Sequence, residues 1–252
     1  MSRTFEALQQ IEKEQQLAAP SLSPARPTLA PPLATARPTA KSVRVGEEEV
    51  LKLVQRVFRS TSPDAPHVVV FSGVGHGDGC SWITASAALT LAAQTTASIC
   101  VVDANLRTPS LHRSFDIENH FGLVESIAQP GAMRNFARQV SGSNLWVLTC
   151  GSLAPQSPAA PLSSEGLRAR MADLRAEFDY VLIDTPPTNL YADAITLGRL
   201  SDGMILVLQS NATKREAAMK AKESCEIAQV RLLGAVLNKR TFPIPQQLYD
   251  RL

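Results

Sequence analysis

The chain has few aromatic residues (5% of its 252) and little net charge. Ala, Leu and Val must therefore fill any core. Lys plus Arg total 25 against 23 Asp plus Glu, a formal +2, which argues against a general nucleic-acid coat or an acidic tail. No apolar run approaches the ~18–20 residues of a membrane span. The opening MSRTFEALQQIEKEQQ has no apolar signal-peptide core, so the expected location is the cytoplasm. Cys80, Cys100, Cys150 and Cys225 show no paired spacing and no CxxC. Free thiols in a reducing compartment fit better than a disulfide frame or a zinc site.

Proline is concentrated rather than scarce. Pro20, Pro24, Pro27, Pro31, Pro32 and Pro38 stand among Ala, Ser and Thr, a composition that cannot bury enough surface to offset its ordering entropy. Before it, Phe5, Leu8, Ile11 and Leu17 sit among Glu, Gln and Lys. They read either as a frayed terminus or as a short amphipathic docking helix on a tether. The expected division is residues 1–45, helix plus flexible linker, and residues 46–252, one α/β domain.

From residue 47 the pattern turns regular. EEEVLKLVQRVF places Val50, Leu51, Val54, Val57 and Phe58 at helical spacing behind three acids. Six short apolar runs follow, at 67–72, 98–103, 145–149, 180–184, 203–208 and 231–237. Helical stretches are expected at 80–94, 163–177, 191–200 and 212–228. The apolar runs are continuous rather than alternating, as for strands covered on both faces. The order predicts a doubly wound, mostly parallel sheet with helices on both faces, with its ligand at the C-terminal strand ends.

Just past the first run comes Gly73-Val74-Gly75-His76-Gly77-Asp78-Gly79-Cys80-Ser81-Trp82, then helix. Four glycines let several N–H groups converge at a helix N-terminus, where an anion is favoured. Gly75, Gly77, Asp78, Gly79, Cys80, Ser81 and Trp82 are the candidate nucleotide-binding residues. Such loops ordinarily end Gly-Lys-Ser/Thr, and here Cys80 holds the lysine position. One ammonium ~4 Å from a phosphate oxygen is worth roughly 4 kcal/mol at an effective dielectric near 20. Its loss weakens binding or transfer by roughly two to three orders of magnitude. Cys80 reads as a tolerated small residue or as a reactive thiol activated by the helix terminus. Trp82 reads as a core anchor or as an obstruction beside the phosphates.

Two further runs end in acids. Asp103 is followed by Asn105, Arg107 and Pro109; Asp184 is followed by Thr185, Pro186 and Pro187. Ser81, Asp103 and Asp184 are the candidate Mg2+ ligands, directly or through water. Asp103 is also a candidate catalytic acceptor of a hydroxyl proton, and Arg107 a partner for a phosphate or a neighbouring acid. Asn238 ends the last run, placed to meet a purine edge or simply to close the strand.

These residues in this order resemble the cytoplasmic domain of bacterial tyrosine kinases of the polysaccharide co-polymerase type, within the deviant P-loop ATPases of partitioning and division-site selection. The matching segments are Gly77-Asp78-Gly79-Cys80-Ser81, Asp103-Ala104-Asn105-Leu106-Arg107-Thr108-Pro109 and Ile183-Asp184-Thr185-Pro186-Pro187. Gly122-Leu123, Leu162-Ser163-Ser164 and Asp193-Ala194 add to the match, which covers about residues 46–242. The resemblance implies a P-loop NTPase-like fold, ATP or ADP with Mg2+, a membrane polysaccharide co-polymerase as partner, and homo-oligomers. Three departures stand out. The loop lysine is Cys80, the second acid of the middle motif is Asn105, and the subunit-contact helix reads Glu49-x-x-Lys52-x-x-Gln55. The family's tail tyrosine cluster is reduced to Tyr249, the one candidate phosphorylation site. The expectation is a degenerate, pseudokinase-like regulator or scaffold of exopolysaccharide or capsule production, held at the inner membrane face through its partner. One alternative is an active tyrosine autokinase, with Lys52, Arg107 or a neighbouring subunit replacing the lost charge. The other is a partition-type positioning ATPase.

Overall fold

The computed structural model describes residues 47–59, 64–152 and 165–240. The segments 3–17 and 20–40, Leu162-Ser163-Ser164 and Tyr249 lie outside the described residues.

The acid-led helix forms where the spacing places it, as α1 (Glu47–Phe58). The first apolar run is β1 (Val68–Gly73) and leads through the glycine loop into α2 (Cys80–Gln94). β2 (Ile99–Asp103), β4 (Leu145–Leu148), β5 (Tyr180–Thr185), β6 (Gly203–Gln209) and β7 (Leu232–Asn238) take up the other five runs. α5 (Glu165–Glu177), α6 (Asp193–Gly198) and α7 (Arg215–Ile227) fill the remaining helical stretches.

Between β2 and β4 the structure adds elements that periodicity did not announce. These are the short helices α3 (Leu111–Phe115) and α4 (Leu123–Ala128), a 3-10 turn at Met133–Asn135, and the two-residue β3 (Arg138–Gln139). β3 pairs antiparallel with β4, and every other pairing is parallel. The sheet order is β3-β4-β2-β5-β1-β6-β7. The mostly parallel, doubly wound sheet expected from the sequence is present.

The continuous apolar runs divide themselves between two cores. Val68 and Val70 face one side with Cys100, Val102, Val181 and Ile183; α5 adds Leu167, Met171 and Leu174. Val69 and Phe71 face the other with Ile99, Val101 and Leu182; α1 and α2 cover it with Val50, Val54, Phe58, Ile83, Ala87, Ala88 and Leu91. Each strand therefore needs apolar side chains at consecutive positions, because both of its faces are dry.

α4 docks against the tip of β4, its first N–H groups bonding the strand's end: Leu123 N–H to Thr149 O (2.8 Å) and Val124 N–H to Cys150 O (3.0 Å). A Cβ at Gly122 would collide with that same Thr149 carbonyl, which accounts for glycine there. α5 secures the 3-10 turn from the other end of the sheet. Glu177 accepts from the N–H groups of Met133 (2.6 Å) and Arg134 (3.1 Å). The Arg134 guanidinium lies over both Trp146 and Phe178, 5.0 and 4.8 Å from the ring centres.

Candidate functional site

β1 lies between β5 and β6, and β2 lies beyond β5. In register, Phe71 stands beside Asp184 and Asp184 beside Asp103. The glycine loop starts two residues past Phe71. Parallel pairing therefore carries the loop and both carboxylates to one end of three neighbouring strands. A cavity of about 360 Å3 opens there, lined by Gly75, Gly77, Asp78, Gly79, Cys80, Ser81 and Trp82, with Asn105, Thr108, Ser110, Arg113, Thr185 and Pro187 across from them.

Gly77 and Gly79 hold φ of +81° and +85°, where L side chains are strained. Asp78 fastens the loop from within. Its carboxylate accepts from the N–H groups of Val74 (2.9 Å) and Gly75 (2.7 Å) and from the Thr213 hydroxyl (3.2 Å). The sequence placed Asp78 among the nucleotide contacts; in the structure its carboxylate is spent on the loop's own amides. The exit of β5 is stitched to the tip of β1. Thr188 donates its N–H to Gly73 O (2.9 Å) and its hydroxyl to Ser72 Oγ (2.7 Å); Ser72 donates on to Pro186 O (2.9 Å).

Asp103 is fully buried and accepts from three amides, those of Ser110 and Leu111 (2.9 Å each) and Asn105 (3.2 Å). Burial nonetheless pushes its carboxyl up to about 6. Asp184 is also fully buried, and neither of its oxygens has a hydrogen-bond partner. Burial, then the neighbouring Asp103, push it up to about 8; Ser81 and Cys80 approach and pull the other way without completing a bond. A buried carboxylate without a partner fits a site that takes a cation. Asp184, with Ser81 and Asp103 beside it, would hold Mg2+, largely through water, and phosphate oxygens would complete the shell. The left-handed glycines at the start of α2 would receive the phosphates. When bound, Mg2+ supplies charge neutralisation between phosphate oxygens.

Cys80 occupies the ammonium's position and brings no charge. Burial, then Asp184, push its thiol well up. Both effects disfavour the thiolate, against the activated-thiol reading. Trp82 is half-buried, lining the cavity and packing partly against the α1/α2 core. Asn105 folds onto its own turn, its Oδ1 accepting from Thr108 N–H at 3.1 Å.

Arg107 lies outside the cavity. It pairs with Asp193 (Nε–Oδ2 3.3 Å), and its guanidinium covers the Tyr191 ring at 4.8 Å. Lys52 pairs with Glu48 (3.4 Å) and Glu49 (3.0 Å) on its own helix. Neither cation lines the cavity.

Asn238 uses both ends of its amide locally. Nδ2 donates to Asp78 O (2.8 Å), and Oδ1 accepts from Lys239 N–H (2.8 Å). Two basic residues at the site were not singled out from the sequence. Arg113 lines the cavity from α3, a helix too short to leave a periodic signal, and draws Asp103 down. Lys239 reaches the loop from β7, and its ammonium donates to Gly77 O at 2.6 Å. Its position directly after Asn238, at a strand tip, was the available clue.

A loop of this form over two acidic strand ends defines a P-loop NTPase. A family model described as "ParA: NUBPL iron-transfer P-loop NTPase" matches residues 65–249. The tyrosine-protein kinase YwqD of Bacillus subtilis is 35% identical over 170 residues, 68% of this chain and 71% of its own. The putative tyrosine-protein kinase CapB of Staphylococcus aureus is 31% identical over 161 residues, 64% of this chain and 70% of its own. Among solved structures, the chimerical protein CapA2B2 superposes with a TM-score of 0.72 at 25% identity, over 85% of this chain and 96% of that one. The kinase domain of Escherichia coli ETK shares the fold, with a TM-score of 0.72 at 22% identity over 86% and 88% of the two chains. The chain belongs to the ParA family of P-loop NTPases, and its homologues there are bacterial tyrosine-protein kinases.

Proposed function

We propose that this protein is a kinase-like regulator or scaffold of capsule or exopolysaccharide synthesis, with weak or absent ATP turnover. It acts from the cytoplasmic face by binding a membrane polysaccharide co-polymerase. Relatives named as tyrosine-protein kinases support the lineage. The observation that carries the degenerate assignment is Cys80. A neutral, half-buried thiol stands where the ammonium belongs, beside an Asp184 left without a partner. Arg107 and Lys52, the replacements considered from sequence, are held by Asp193 and by Glu48 and Glu49. Asp103 and Asp184 keep the place for a magnesium nucleotide, so the site suits occupancy better than transfer. Among the described residues no helix is long and apolar enough to cross a membrane, so the proposed membrane association runs through the partner.

Incubation of the full chain with radiolabelled ATP and Mg2+ tests this. The expected result is no label on tyrosine above that of an Asp103→Ala control. Label that depends on Asp103 and disappears in Tyr249→Phe overturns the proposal in favour of an active autokinase.

A further inference from the structure

The loop without a lysine of its own is touched by one from elsewhere. Lys239 stands just past the end of β7, in the left-handed region at φ +55°. That conformation is unfavourable for a residue with a Cβ and survives only where surroundings hold it. Here Asn238 Oδ1 holds it, by accepting the Lys239 N–H at 2.8 Å. The turn aims the side chain back across the loop, where Nζ meets Gly77 O at 2.6 Å. Asn238 grips the next carbonyl, that of Asp78, at 2.8 Å. Two consecutive residues of the strand tip thus hold two consecutive carbonyls of the loop. The fit is close: a Cβ added at Gly79 would lie 3.7 Å from Lys239 Cε.

We propose that Lys239 supplies, from the tip of the last strand, the cation that the loop lacks, and that it binds the polyphosphate of a nucleoside di- or triphosphate. This rests on the nucleotide-site reading above. An ammonium has three donors, and the Gly77 carbonyl takes one. The others are free for an anion at the edge of a cavity that Gly77 and Gly79 themselves line. The charge is exposed, so its effect is smaller than that of a buried loop lysine and weakens with salt. That suits a site that is occupied without supporting fast transfer. Arg113 is the competing candidate. It lines the cavity from the opposite side but donates to Pro109 O (3.1 Å) on its own turn.

Calorimetry of the full chain with Mg-ADP tests the proposal, with circular dichroism confirming that each variant is folded. Lys239→Met is expected to weaken binding about tenfold or more, and Lys239→Arg to retain most of it. Adding Cys80→Lys to Lys239→Met is expected to restore affinity, because the charge returns by the other route. Lys239→Met within twofold of the parent overturns the proposal. So does a loss that falls on Arg113→Met instead, or a folded double variant that regains nothing, since the lost quantity was then loop shape. A parent chain that binds no Mg-ADP overturns the role of Lys239 and leaves the regulator assignment standing. Tyrosine labelling by the parent chain does the reverse.

Discussion

Asp103 and Asp184 are register partners on adjacent parallel strands, and the amide after the first, Ala104 N–H, bonds the backbone carbonyl of the second at 2.9 Å. Two carboxyl groups are thereby fixed side by side in a buried place; Asp103 accepts three amide bonds, whereas neither oxygen of Asp184 completes one.

That inequality has a pH signature. An unfolded carboxylate titrates near ~4, whereas Asp184 is pushed up to about 8 in the fold. Between those values the native state binds more protons than the unfolded one, so stability falls as pH rises. Thermal melts without nucleotide should show a higher Tm at pH 5 than at pH 8. Asp184→Asn should flatten that slope and raise stability at pH 8 by about 1–3 kcal/mol. An unchanged slope in the variant would place the titrating group elsewhere.

Asp78 gives the second expectation. Its carboxylate satisfies two amides at the start of the loop and binds Thr213. Asp78→Ala leaves Gly75 N–H and the Thr213 hydroxyl without this acceptor, while Val74 N–H keeps its bond to Val207 O (3.1 Å), at a cost of about 1–3 kcal/mol. Amide exchange at Gly75 should accelerate more than exchange at Val74 or in the interior of β1. Equal exchange in variant and parent would contradict the role assigned to this side chain.

The thiols give the third. Burial comes first among the causes raising Cys80, Cys100, Cys150 and Cys225, and Cys150 reaches about 12. Reactivity follows the thiolate fraction. Iodoacetamide at neutral pH should modify each far more slowly in the folded chain than after denaturation, with intact-mass spectra counting the adducts. Rapid, selective labelling of Cys80 in the native protein would revive the activated-thiol assignment.

The architecture was legible where one physical signal dominated. Val68–Phe71 and Val181–Ile183 are apolar at every position because both faces of the sheet are covered, and α1 runs from the acids that precede its apolar spacing to the last apolar residue, Phe58. The glycine loop and the two acids could be placed together because parallel strands deliver their C-terminal ends to one edge. α3 and α4 were not legible. Five or six residues make too few turns for periodicity, and both helices are held by contacts from distant strands, such as Thr149 O on Leu123. The partners of single side chains were the least visible. That Arg107 answers to Asp193, and that Lys239 returns to Gly77, depends on chain reversals of 86 and 162 residues.

The stitch through Thr188 links more than two strand ends. Its amide holds the Gly73 carbonyl and its hydroxyl holds Ser72. Five residues on, Asp193 opens α6 and clasps Arg107 from the segment after β2. The tip of β1, the double-proline bend and, five residues on, the first turn of α6 with its Arg107 partner thus follow one another through short chain and direct contacts. Loss of the Thr188 hydroxyl is therefore expected to loosen the tip of β1 together with the double-proline bend, where Ser72 and Pro186 share the same run of bonds.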